Sequence, residues 1–203
     1  MDRTDALRKN LLDRVGSDHV WDAVDFATSW FEGVLRKDGE DFINHQLRVA
    51  IRCADAGLPW SVVQAAVCHD VWEDENQHGE RCRYDQLRPV LCDLAFDAVL
   101  MLTSMEKLDD RLSAAPRAER KRWQREILYR APLHVKMIKI FDRIDNLSCM
   151  RGGHFTEEFV RQYLGESVEL VCRMVLSPKA GSPAWFKALG EFWELREEMI
   201  REP

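Results

Sequence analysis

Apolar residues recur at helical spacing through nearly the whole chain, and glycine and proline interrupt them at a few points. Ser17 and Asp18 read as an N-cap for a helix reaching about Leu35. Its apolar stripe is Val20, Trp21, Val24, Phe26, Ala27, Trp30, Phe31 and Val34. Gly39 marks a turn over residues 37–40. A second helix is predicted from Phe42 to Ala56, stopped by Gly57. Pro59 and Ser61 open a third, running to about Glu73. Short helices follow around Tyr84–Leu91 and Asp93–Leu102. Pro116 begins a strongly basic helix to Arg130, which Pro132 breaks. The next runs from Leu133 to Cys149 and ends at Gly152 and Gly153. Thr156, followed by Glu157 and Glu158, caps a long helix to Leu176. Pro178, Gly181 and Pro183 form a loop before a last helix, Ala184 to Arg201. No strand series, repeat or low-complexity tract is legible. The expected fold class is all-α: a compact multi-helix bundle forming a single domain over residues 1–203, with a core at about 36–150 and flanking helices in 1–35 and 156–203.

Composition narrows the class. Of 203 residues, 46% are apolar and 32% charged, a balance typical of globular chains. The net charge of −6 gives no general attraction to nucleic acid polymers. A small anionic substrate would therefore need local positive charge or a metal ion. The six cysteines form no CxxC pair and sit mostly among apolar residues, so they read as reduced core thiols. The segment MDRTDALRKN lacks the apolar stretch of a signal peptide, and no apolar run approaches the roughly 20 residues of a membrane helix. A cytoplasmic protein without a membrane span is expected.

The chemistry concentrates in AAVCHDVWED, residues 65–74. His69 and Asp70 end an apolar helix, where unpaired polar groups are costly. A divalent cation would satisfy both. Glu73 and Asp74 follow His69 and Asp70 by four residues each, so on a helix they would share a face with that pair. A carboxylate there can orient a water or take its proton. His45 on the preceding helix and Asp142 in KMIKIFDRIDN complete an order H…HD…D. Two nitrogens and two oxygens suit Mn, Fe, Zn or Ni alike. Each residue also has a plainer reading. His45 alone could be a packed histidine. Glu73 to Asn76 could be an acidic helix end, and Asp142 could pair with Arg143.

These blocks resemble the HD-domain superfamily of metal-dependent phosphohydrolases. They are most similar to the hydrolase domain of RelA/SpoT-type enzymes and their small single-domain relatives, which remove the 3′-pyrophosphate of (p)ppGpp and are typically manganese-dependent. RKDGEDFINH (36–45) is similar to R-K-x-G-x-x-Y-x-x-H, AAVCHDVWED to A-x-L-H-D-x-x-E-D, and KIFDRIDNL (139–147) to K-x-A-D-R-L-x-N. MLTSMEK (101–107) is a looser echo of a segment ending in V-T-K. The resemblance implies metal ligands His45, His69, Asp70 and Asp142, and a catalytic pair, Glu73 and Asp74. It also implies substrate contacts from Arg36, Lys37 and Asn146, with Arg36 stacking its guanidinium on the base. Lys121 and Arg122 of the helix ERKRWQ would reach phosphates, or else form a solvated basic face. The implied cofactor is one divalent ion, manganese first, with Fe, Zn, Ni, Co or Mg also compatible.

The pattern departs from the family at Asp145, where His or Tyr is common, and at Ser148 and Cys149. An extra carboxylate near an anionic substrate is unfavourable unless it points away. Phe155, Phe159 and Arg161 stand near the family's aromatic and arginine at the next helix start. The substrate could thus be (p)ppGpp or another nucleotide: a dNTP, a nucleoside monophosphate or NADPH. Two further readings are a non-catalytic nucleotide- or metal-binding module and a helical scaffold. Exposed Trp185 and Trp193 would favour a homodimer.

Overall fold

A computed structural model describes residues 2–152, 154–177 and 181–201. The described residues form helices joined by turns, with one isolated bridge between Leu35 and Asp41. In chain order the helices are α1 (Arg3–Val15), α2 (Trp21–Trp30), α3 (Phe42–Asp55), α4 (Trp60–Val67), α5 (Tyr84–Leu87), α6 (Asp93–Leu102), α7 (Met105–Leu108), α8 (Arg117–Arg130), α9 (Leu133–Met150), α10 (Glu157–Val175) and α11 (Pro183–Arg201). Helix α9 is the axis. Every residue from Val135 to Asp145 is buried, so this helix has no solvent face through its middle. It packs against α3 on one side and α11 on another, while α3 also packs against α1 and α4.

Most predicted ends fall within one or two residues; three helices stop early, among them the one expected over Tyr84–Leu91, which ends at Leu87, and α1 and the short α7 are additional. The helix expected to reach Leu35 stops at Trp30 after a 3-10 turn, Asp18–Val20. Gly33 adopts φ +72°, and a Cβ there would meet Gln77 Oε1 at 2.7 Å, so a tight turn held against the 75–80 loop replaces the last helical turn. Ser17 does act as a cap, accepting from His19 N–H at 3.4 Å. Helix α4 ends at Val67, six residues before the expected Glu73. Helix α1 was not among the predicted elements. Asp2 caps it, Gly16 ends it in the left-handed region, and Leu7, Leu11 and Val15 recur every four residues. The predicted loop is described only at Gly181 and Pro183; Pro178 lies outside the described residues, as does Gly153. Trp185 is not exposed but 1% accessible in the core, so it cannot serve a dimer surface; Trp193 is half-buried.

None of the described helices is long and apolar enough to cross a membrane.

Candidate active site

Three segments converge on one point. Helix α3 delivers His45 and α9 delivers Asp142, both from buried turns. His69 and Asp70 lie just past the C-terminus of α4, in a run of tight turns. There Val71 N–H bonds Cys68 O at 3.1 Å, and the Glu73 and Asp74 amides both bond Asp70 O at 2.9 Å. The backbone thus keeps the helical i, i+4 relation between Asp70 and Asp74. Glu73 hydrogen-bonds back to Asp70 instead of His69, and its Oε1 accepts from Ser104 N–H at the end of α6.

The four predicted ligands are brought together. His45 Nε2 lies 3.3 Å from Asp142 Oδ1 and 3.6 Å from Asp70 Oδ2. His69 Nε2 lies 3.3 Å from Asp70 Oδ2 and 3.8 Å from Asp142 Oδ1. Nitrogens of the two rings and an oxygen of Asp142 all fall within 4.8 Å of one another. Both Nε2 atoms are buried without a hydrogen-bond partner. Buried polar atoms are ordinarily paired, and two imidazole nitrogens facing two carboxylates are the donor set of a divalent cation. The residues therefore fit a metal ion.

The surrounding contacts fix each group. His69 Nδ1 donates to Ala66 O at 2.8 Å, which leaves Nε2 for the site. His45 Nδ1 donates to Asp145 Oδ2 at 2.7 Å. Gln46 Nε2 donates to Asp70 Oδ2 at 3.0 Å. Asp142 receives Lys139 Nζ on Oδ2 at 2.8 Å and Asn146 Nδ2 on Oδ1 at 2.5 Å. Arg36 Nη2 in turn donates to Asn146 Oδ1 at 2.6 Å.

Charge follows from these contacts. Burial opposes ionisation of Asp142, but Lys139 and the two imidazoles outweigh it and hold the carboxyl well below the usual range. Burial likewise disfavours the charged ring of His69, yet Asp70 and Asp142 overcome it and raise the group to about 9. Proton and metal would compete for that ring. Burial, with Asp70 and Glu73 alongside, pushes Asp74 up to about 7.

Asp70 and Asp142 open onto a cavity of about 300 Å³. Glu73 and Asp74 line it on the acidic side, and Arg36, Lys37, Lys121, Lys139 and Arg143 on the basic side. Arg36 and Lys37 stand on the turn closed by Arg36 N–H to Glu40 O at 2.8 Å. Lys37 Nζ lies 4.7 Å from the centroid of the Phe159 ring, which stacks on Phe155 at 5.5 Å. Asn146 lines the cavity too. Arg122 does not; it is exposed and pairs with Glu119 on its own helix.

Sequence reasoning gives Lys139 no role and weighs Arg143 only as a structural partner of Asp142, although both sit in the block KIFDRIDNL. Lys139 lies three residues before Asp142 and pairs with it at 2.8 Å, while Arg143, one turn after Lys139, lines the same cavity with its guanidinium over the Tyr163 ring. A carboxylate at Asp145 is compatible with an anionic substrate only if it points away. It points away from the cavity, to His45 and to Arg48, whose Nε and Nη2 it accepts at 2.7 and 2.9 Å. Burial is outweighed by these partners, and its carboxyl sits well below the usual range.

The chain is similar to known proteins in sequence and in fold. The sequence profile of the HD domain matches residues 23–165. A human protein named guanosine-3′,5′-bis(diphosphate) 3′-pyrophosphohydrolase MESH1 is 32% identical over 158 residues, covering 74% of this chain and 81% of that one. Its Xenopus tropicalis counterpart is 31% identical over 160 residues, covering 75% and 82%. A GTP pyrophosphokinase of Streptomyces coelicolor is 29% identical over 130 residues, and the match spans only 14% of its length. A solved structure described as a metazoan ortholog of SpoT that hydrolyses ppGpp superposes with a TM-score of 0.70. It covers 89% of this chain and 96% of its own at 21% identity, a likeness of fold. The chain belongs to the HD-domain family of metal-dependent phosphohydrolases.

Proposed function

We propose that this chain hydrolyses a phosphate or pyrophosphate ester of a nucleotide at the His45–His69–Asp70–Asp142 site, with the 3′-pyrophosphate of (p)ppGpp as its substrate. The observation that carries the reading is the pair of buried, unpartnered Nε2 atoms facing two carboxylates at the edge of a cavity with a basic wall. A divalent ion held there, manganese first among the compatible metals, would supply Lewis-acid polarisation and an acidified water.

The chain's own groups do the rest. Glu73, with one oxygen fixed by Ser104 N–H, orients the attacking water. Asp74, raised to about 7, accepts its proton near neutral pH. Lys121 and Arg143 face the phosphoryl oxygens from the basic wall and stabilise the charge that builds there. Arg36 and Lys37 bind the nucleotide at the rim, and Asn146 ties Arg36 to Asp142 so that substrate binding and the metal site share one chain of contacts. The similarity to the MESH1 proteins over most of both chains supports (p)ppGpp. The Phe155–Phe159 stack lining the cavity favours, as a second reading, another nucleotide whose base rests on that face.

The test is a panel of (p)ppGpp, dNTPs, nucleoside monophosphates and NADPH with added Mn²⁺, scored for released phosphate and pyrophosphate. Pyrophosphate from (p)ppGpp, abolished in His69→Ala, is expected. Turnover of none of the panel, or equal turnover by His69→Ala, would contradict the proposal.

A further inference from the structure

The two candidate imidazole ligands are held in different ways. His69 is oriented by a neutral backbone carbonyl, Ala66 O at 2.8 Å. His45 is oriented by a carboxylate, Asp145 Oδ2 at 2.7 Å, one helical turn beyond Asp142 on α9. Asp145 is itself fixed from the far side. Arg48 engages both of its oxygens, Nε to Oδ1 at 2.7 Å and Nη2 to Oδ2 at 2.9 Å. Arg48 is anchored in turn by Glu40, whose two oxygens accept from Nη1 at 2.8 Å each, and Glu40 also meets Arg3 of α1 at 2.9 Å. Arg48 lies three residues after His45, on the same face of α3. Asp145 is 4% exposed and does not line the cavity, so its carboxylate has no substrate to serve.

Resting on the metal-site reading above, we propose that Asp145, clamped by Arg48, is the positioning residue that makes His45 a ligand. A carboxylate on Nδ1–H fixes the tautomer and aims Nε2 at the site. A merely structural Asp145 would have satisfied Arg48 alone. The shared Oδ2, which accepts from both Arg48 and the imidazole, ties the clamp to the ring. The same arrangement explains why a carboxylate is tolerated one turn from Asp142: its charge is spent on Arg48 and His45.

The experiment titrates Mn²⁺ alone into metal-free wild type, Asp145→Asn and His69→Ala, with metal-free melting temperature recorded for each. Asp145→Asn is expected to weaken Mn²⁺ binding by about 10–100-fold, the range of outer-partner substitutions. Binding within twofold of wild type would overturn the inference. If wild type binds no tighter than His69→Ala, the metal-site reading fails as well, which separates the two failures. Ring-nitrogen NMR of Zn²⁺-loaded wild type decides the matter without a variant. His45 ligated through Nε2, with an exchange-protected Nδ1 proton, is expected. Ligation through Nδ1, or a freely exchanging proton, would overturn the inference.

Discussion

Lys139→Met tests how the site manages its own charge. Lys139 is 7% exposed, and its Nζ sits 2.8 Å from Asp142 Oδ2, beside Asp70 and Glu73. Removing one partner of a buried ion pair leaves the other unpaired, at a cost of about 3–5 kcal/mol. Asn146 and the two imidazoles still face Asp142, so the lower end applies, about 3 kcal/mol. For a chain of this size that is a fall in melting temperature of about 6–12 °C. A divalent cation would replace the lost positive charge. The deficit should therefore appear in chelated protein and shrink when Mn²⁺ is added. A metal-induced stabilisation of about 2.7 kcal/mol is expected for wild type at a hundredfold excess over Kd. Lys139→Met should exceed it, with tighter Mn²⁺ binding of about tenfold for each 1.4 kcal/mol recovered. The assay is thermal melting of both proteins with chelator and with Mn²⁺. An equal deficit in both conditions would refute the reasoning, because it would mean that Lys139 and the metal do not share Asp142.

Glu73→Gln should retain Mn²⁺ binding in an equilibrium titration while kcat falls by about 10²–10⁴-fold; unchanged kcat would remove Glu73 from the chemistry. The native pKa of Asp74 is raised to about 7, above the ordinary carboxylate value, so the folded chelated protein holds a proton that the unfolded chain releases. That contribution is fully present below about pH 4 and is lost as pH rises through about 7. Chelated Asp74→Asn should show a flatter decline in melting temperature between pH 5 and 8 than wild type, and an unaltered slope would contradict the assignment. Arg36→Ala should raise KM for the hydrolysed nucleotide more than it lowers kcat, whereas Arg122→Ala, on the solvent side of α8, should leave both within twofold.

Much of this was legible because helical periodicity and helix-ending residues act locally. Gly57 ends α3 within two residues of the expected point, and Thr156 caps α10 through Phe159 N–H at 3.3 Å as its position suggests. What sequence could not supply was competition among tertiary partners. Nothing local forbids α4 from running on to Glu73. Its early end lets His69 and Asp70 reach one point and lets Glu73 meet Ser104, thirty-one residues away. Helix α1 escaped because its apolar face is narrow. It is fixed by packing on α3, with Thr4 Oγ1 donating to Asn44 Oδ1 at 2.8 Å beside His45. The candidate ligand set was legible from the H…HD…D order together with the resemblance to HD-domain enzymes, and the structure brings its four side chains together. The partners that aim the ligands, Arg48 and Asp145, lie 97 residues apart, and no spacing rule joins them.

The central claim is that His45, His69, Asp70 and Asp142 hold one cation. An anomalous-scattering map from a crystal of the Mn²⁺-loaded protein addresses it directly. A single peak about 2.0–2.3 Å from both Nε2 atoms and from an oxygen of each aspartate is predicted. A peak elsewhere, or none at a saturating concentration, would contradict it.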